Sequence, residues 1–154
     1  SNLYLQMSSW CEQQALGGCA AFLTMHAQEE MGHMNRLWTY VNETGAMAVI
    51  GEIAAPPVEF SNVADVFKTT YEHERHVTQQ INELVHTAFE EKDYSTFSFL
   101  QWYVAEQHEE EKLFKDILDK IEMIGMDGKG LFYIDQELAA LKAGASAAAP
   151  GESV

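Results

Sequence analysis

The sequence predicts an all-α fold: four long amphipathic helices joined as two hairpins by one long connection, with a short fifth helix at the C-terminal end. Three observations carry that reading. Apolar residues recur at helical spacing in four segments, and no segment alternates as a strand would. Helix-stop residues divide those segments at Gly17-Gly18, Gly45, Pro56-Pro57 and Gly125. Three of the four apolar seams are each interrupted near mid-helix by acids or by an acid beside an amide or imidazole.

The first helix runs from the N-terminus to about Leu16 and ends at Gly17-Gly18, and the second covers residues 19–44. Their short link makes them antiparallel. Residues 46–60, with Gly51 and Pro56-Pro57, form a long connection that ends at Ser61, the expected N-cap of a third helix reaching about Lys92. At 1.5 Å per residue the second helix is ~39 Å long, a length that about fifteen extended residues can retrace. Such a return places the second and third helices parallel. A fourth helix spans residues 95–124, antiparallel to the third, and Leu131, Ile134, Leu138 and Leu141 mark the short fifth. Residues 1–142 therefore read as one domain and 143–154, rich in Ala and Ser, as a flexible tail.

Polar residues stand on the seams. In the second helix the spacing Leu23, Ala27, Met34, Leu37, Val41 has one position without an apolar residue, Glu30, and His33 follows one turn later. The third helix places Glu74 among Val63, Phe67, Thr70, Val77, Ile81, Leu84 and Ala88. The fourth places Gln107 and Glu110 among Leu100, Tyr103, Phe114, Ile117 and Ile121. Helices of similar length share similar midpoints, so these residues should converge on one volume. An unpaired buried carboxylate costs several kcal/mol, and three would rival the ~5–15 kcal/mol total stability of a domain. Bound cations resolve the conflict. Carboxylate, imidazole and amide donors suit iron or manganese, whereas the thiolates of a structural zinc site are missing.

Other polar residues read as bland. Glu83 and His86 repeat the Glu-x-x-His spacing but flank an apolar seam, His73 and His76 lie off it, and His26 and His108 carry no readable signal. Cys11 and Cys19 are expected as buried reduced thiols, and Trp10, Met25 and Trp38 as packing residues. Nine basic against 24 acidic residues in a chain of 154 give a formal charge of -15, which disfavours nucleic acid and anionic membrane as partners and favours cations. No apolar run reaches the ~18 residues of a membrane span. The first 35 residues contain no Lys or Arg, so the basic start of a signal peptide is absent and a cytoplasmic location is expected.

The stretches HAQEEMGHM at 26–34, VNETG at 41–45, QINEL at 80–84 and FLQWYVAEQHEEE at 99–111 resemble those of bacterial non-haem ferritins, across residues 1–142. The resemblance implies a ferritin-like bundle and a ferroxidase centre in which Glu30 and His33 bind one iron, Glu30 and Glu74 help hold a second, and Gln107 lies beside the pair. It implies a third iron site at Glu29, Glu106, Glu109 and Glu110, and a tyrosine, Tyr4, near the two irons that could donate an electron. It also implies a homo-oligomeric shell of 24 subunits, its fourfold axes lined by the fifth helix, that oxidises Fe(II) with dioxygen or peroxide and stores ferric mineral. The family's first iron-binding glutamate lies one heptad before the tyrosine matched by Tyr4, ahead of Ser1, so the domain is expected to be N-terminally incomplete. Gly32, between two expected ligands, is a second departure from a strong helix.

Two other readings compete. Haem-binding bacterioferritin resembles the chain at Glu30-Met31, but it and the rubrerythrin-like peroxidases carry a second Glu-x-x-His in the fourth helix, where this chain reads Gln107-His108-Glu109-Glu110. No haem is therefore expected. A shell subunit impaired in oxidation for want of the first glutamate is the alternative from a different functional class.

Overall fold

The computed structural model describes the backbone of residues 1–148 and the side chains of residues 1–141. Among these residues there are five helices and no strand: α1 (Asn2–Gln13), α2 (Gly17–Glu43), α3 (Val63–Glu90), α4 (Tyr94–Ile124) and α5 (Gly128–Ala148). They belong to two compact units. One is Ser1–Phe60 with the chain from Met126 onward, and the other is Ser61–Gly125.

In the first unit α1 and α2 form an antiparallel hairpin. Ser1 donates to the Ala27 carbonyl at 2.8 Å, and Ser8 donates to the Ala20 carbonyl at 2.8 Å with the Thr24 hydroxyl at the same distance. Tyr4, Met7, Ser8 and Cys11, spaced by threes and fours, are the buried stripe of α1, and Cys19, Ala20, Phe22, Leu23, His26 and Ala27 that of α2. Beyond Ala27 the seam of α2 is more open. Met34 is exposed there, and Leu37 and Val41 are only half-buried. The expected apolar seam thus holds over half of α2.

The expected stop at Gly17-Gly18 is corrected. The chain turns at Ala15, whose φ of 58° is left-handed, with Leu16 N–H bonded to the Cys11 carbonyl and Ala15 N–H to that of Glu12. This is a Schellman closure of α1, and both glycines then open α2. Gly18 has a different role. A Cβ built on it would lie 2.0 Å from the backbone oxygen of Asp135, so the absent side chain is what lets α5 cross there. Asp135 completes the crossing by accepting the Cys19 N–H at 2.9 Å, satisfying one of the orphan donors at the start of α2. Helix α5 runs to Ala148, well past the boundary expected at 142. The Ala-rich segment has high helix propensity, which apolar periodicity alone misses. The rest of the expected tail, 149–154, lies outside the described residues.

In the second unit α3 and α4 are antiparallel, with Phe89 against Phe97 near the turn, ring centroids 5.9 Å apart. Lys92 supplies the left-handed residue of the turn at φ 58°, again in a Schellman closure, through Asp93 N–H to the Ala88 carbonyl and Lys92 N–H to Phe89. Asp93 caps α4 by accepting from Thr96 N–H and its hydroxyl, contacts that hold the Asp93 carboxyl below its ordinary range. The cap of α3 is Asn62, not Ser61: its side chain accepts Asp65 N–H at 3.0 Å while Asp65 accepts Ser61 N–H at 2.9 Å. All seven expected seam residues of α4 are buried. On α3 the expected seam fails at Leu84, which is exposed.

Between Thr44 and Asn62 the connection has no regular structure, and its end is pinned within the first unit by Phe60 packed edge-on against Trp10 at 5.8 Å. Met47, Val49, Ile50, Ile53 and Val58 stand exposed along it. Among the described residues no helix is long and apolar enough to cross a membrane.

Candidate metal centre

On α2, Glu30 and His33 project together. His33 Nδ1 lies 3.5 Å from Glu30 Oε2, and both side chains are mostly buried, at 13% and 20% exposure respectively. One turn of helix brings i and i+3 to the same face, so the pair is preformed by the backbone alone. Gly32 between them faces open space, since a Cβ there would meet nothing within 4 Å. The glycine therefore adds backbone freedom without relieving a clash.

The second unit holds its carboxylate differently. Glu74 is 1% exposed, and the Gln107 side-chain amide donates both to its Oε2 at 3.0 Å and to its backbone carbonyl at 3.2 Å. Thr78 donates to the same carbonyl at 3.0 Å, and His73 Nδ1 is 3.8 Å from Glu74 Oε1. A neutral amide orients a carboxylate without neutralising it. Glu110 is also buried on α4, while Glu106 is half-buried and Glu109 exposed. The decoy pair Glu83 and His86 is exposed on α3, as are His73 and His76.

The residue that sequence reasoning passed over is His26. It is 3% exposed, enclosed by Phe22 with centroids 4.4 Å apart and by the edge of Tyr4 at 6.5 Å, with Nδ1 3.4 Å from Glu29 Oε2. Its spacing, His26-x-x-Glu29, is that of the next pair in reverse, which is the signal that could have found it. Tyr4 itself is buried. Cys11 and Cys19 are free, buried thiols, as expected. Burial, with Asp135 and Glu12 nearby, pushes Cys11 up to about 12, and burial with Cys11 and Asp135 pushes Cys19 higher still. Such thiols are poor ligands and poor nucleophiles.

Residues 1–124 match the model of the ferritin-like domain. The chain belongs to the ferritin-like family. A probable bacterial non-haem ferritin-like protein of Haemophilus influenzae is 63% identical over 138 residues, covering 90% of this chain and 84% of its own. The bacterial non-haem ferritin of Escherichia coli is 53% identical over 141 residues, covering 92% of this chain and 86% of its own. Among solved structures, the open-pore ferritin of Archaeoglobus fulgidus superposes with a TM-score of 0.87 at 40% identity, covering 89% of this chain and 84% of that one. The fold is accordingly the ferritin four-helix bundle with a C-terminal helix, and membership supports iron storage.

Proposed function

We propose that this ferritin stores iron by oxidising Fe(II) at a two-iron centre to which Glu30, His33, Glu74 and Gln107 contribute. The observation that carries the reading is Glu74, a carboxylate almost wholly inside a helix pair and held by a neutral amide at 3.0 Å. A carboxylate so placed, with amide and imidazole groups among the other expected donors, is the kind of ligand that suits iron. In this reading Glu30 and His33 hold one iron, Glu30 and Glu74 the second, and Gln107 orients Glu74. Two Fe(II) ions side by side can each give one electron to a shared dioxygen or peroxide. Tyr4 is the proposed auxiliary electron donor.

Glu29, Glu106, Glu109 and Glu110 are the proposed acids of a third iron site. The assembly is a homo-oligomeric shell, expected to have 24 subunits and to enclose the ferric product. Exposed Met47, Val49, Ile50, Ile53 and Val58 on the connection support association, since clustered exposed apolar side chains mark interaction surfaces. The names of the relatives favour iron without haem, and the absence of any long apolar helix among the described residues accords with a cytoplasmic location.

The test is aerobic Fe(II) oxidation, followed by absorbance, with native mass measurement after anaerobic Fe(II) loading. Glu30→Ala and Glu74→Ala should each lower the initial rate by at least about tenfold. A wild-type monomer or dimer that takes up no iron would overturn the proposal.

A further inference from the structure

We infer that His26 is a positioning residue for iron, acting through Glu29, and this rests on the reading of Glu29 as an iron-binding acid. The geometry of the first unit carries the inference. Along α2 two acid–imidazole pairs follow one another without a gap: His26 Nδ1 is 3.4 Å from Glu29 Oε2, and His33 Nδ1 is 3.5 Å from Glu30 Oε2. Their burial is inverted. In the second pair both members are mostly buried, whereas in the first the imidazole is buried and the carboxylate side chain is 42% exposed.

That inversion assigns the roles. His26 sits with its ring enclosed by Phe22 and by the edge of Tyr4, so its orientation is fixed by packing rather than by the carboxylate. Glu29 has nearly half its side chain in solvent, and a flexible acid loses rotamer entropy when it binds an ion, a loss that each contact holding it beforehand reduces. A ring fixed by packing, with its Nδ1 3.4 Å from Oε2, narrows the positions that the Glu29 carboxylate can take. Partners of this kind, which hold a ligand in place, change metal affinity by ~10–100-fold when removed. His26 also links the acid to Tyr4, because the ring that holds Glu29 is the ring that packs on the tyrosine.

The experiment is anaerobic Fe(II) titration calorimetry on the assembled protein, with His26→Phe and His26→Asn. Phenylalanine keeps a planar ring in the Phe22–Tyr4 enclosure and removes the donor. Asparagine places an amide N–H close to where Nδ1 stood. If His26 positions Glu29, His26→Phe weakens the weakest class of iron sites by ~10-fold or more, leaves the tighter classes and the thermal melt near wild type, and His26→Asn recovers most of the loss. Equal loss in both variants would make His26 a ligand in its own right and overturn the positioning role. No loss in His26→Phe, with the third iron present in wild type, overturns it too and leaves the two-iron reading intact. Glu29→Gln is the control for the acid: if it removes no iron from wild type, the third site fails and the inference fails with it.

Discussion

The α1–α2 hairpin and the α3–α4 hairpin turn the chain in the same way and hold their acids in opposite ways. Both turns are Schellman closures with an L-residue at φ 58°, Ala15 in one and Lys92 in the other. In α3–α4 the acid is fixed across the hairpin, by an amide on the facing helix, and is sealed at 1% exposure. In α2 each acid is fixed along its own helix, by an imidazole one turn away, and retains contact with solvent. A carboxylate held across a hairpin depends on tertiary packing. One held along a helix is brought to its partner by the helix itself, through the i, i+3 spacing.

The largest effect expected from any single change falls on the first unit, at a point with no counterpart in the second. Gly18→Ala forces a Cβ to within 2.0 Å of the Asp135 backbone oxygen, which no rotamer change relieves. Loss of the α5 crossing, with its Asp135 cap on Cys19, should cost ~3 kcal/mol. Gly17→Ala is the control next door, with nothing within 4 Å, and should be close to neutral. Paired chemical denaturation curves check both. Equal midpoints would mean α5 does not depend on the crossing.

Next in size is the contrast between the acids. Gln107→Leu leaves the buried Glu74 carboxylate without its amide and should destabilise by ~1–3 kcal/mol, whereas His33→Leu, beside a partly solvated Glu30, should cost less than ~1 kcal/mol. Both should slow Fe(II) oxidation. Should His33→Leu prove the more destabilising, the distinction between the two ways of holding an acid would collapse.

How far this was legible in the sequence follows the same division. Glu30, Glu74, Gln107 and Glu110 were readable because each breaks an apolar seam, and a break in a period needs no knowledge of the partner helix. His26 was not, because a histidine beside Phe22 and Ala27 looks like any core aromatic until its ring and the Glu29 carboxylate are seen to meet. Gly18 was misread as a stop for a related reason. Its meaning depends on Asp135, far along the chain, and a glycine needed for close approach looks the same in sequence as one that ends a helix. The N-cap was misplaced by one residue because Ser61 and Asn62 are both good caps, and only the Asp65 contacts decide between them.

The hairpins should also part company with pH. Only the first contains cysteines, and both thiols have folded-state pKa values raised by burial, Cys11 to about 12. A raised value means that the folded state favours the protonated thiol. That stabilisation is complete below the unfolded thiol pKa of ~8.5 and fades as pH climbs toward 12. The second hairpin has Asp93, whose folded pKa is lowered by its Thr96 contacts, so its contribution is present above the unfolded value of ~3.9 and fades as pH falls through the folded one. Melting temperature against pH should therefore drop on the alkaline side in wild type and less in a Cys11→Ala, Cys19→Ala double variant. Asp93→Asn should flatten only the acid side.

The smallest effect concerns what the hairpins share. Ala15 and Lys92 occupy the left-handed region that costs an L-residue ~1–2 kcal/mol, and glycine removes that cost while adding freedom to the unfolded chain. The net gain from Ala15→Gly or Lys92→Gly should be ~1 kcal/mol or less, with the two values close to one another because the backbone geometry is the same. Similarity is the informative outcome. If the turns respond alike while the acids respond differently, the two hairpins share their closure and differ in how each positions its carboxylates. If Lys92→Gly stabilises and Ala15→Gly does not, the first turn is held by more than its own backbone. Leu16, buried directly after it, is the residue to vary next.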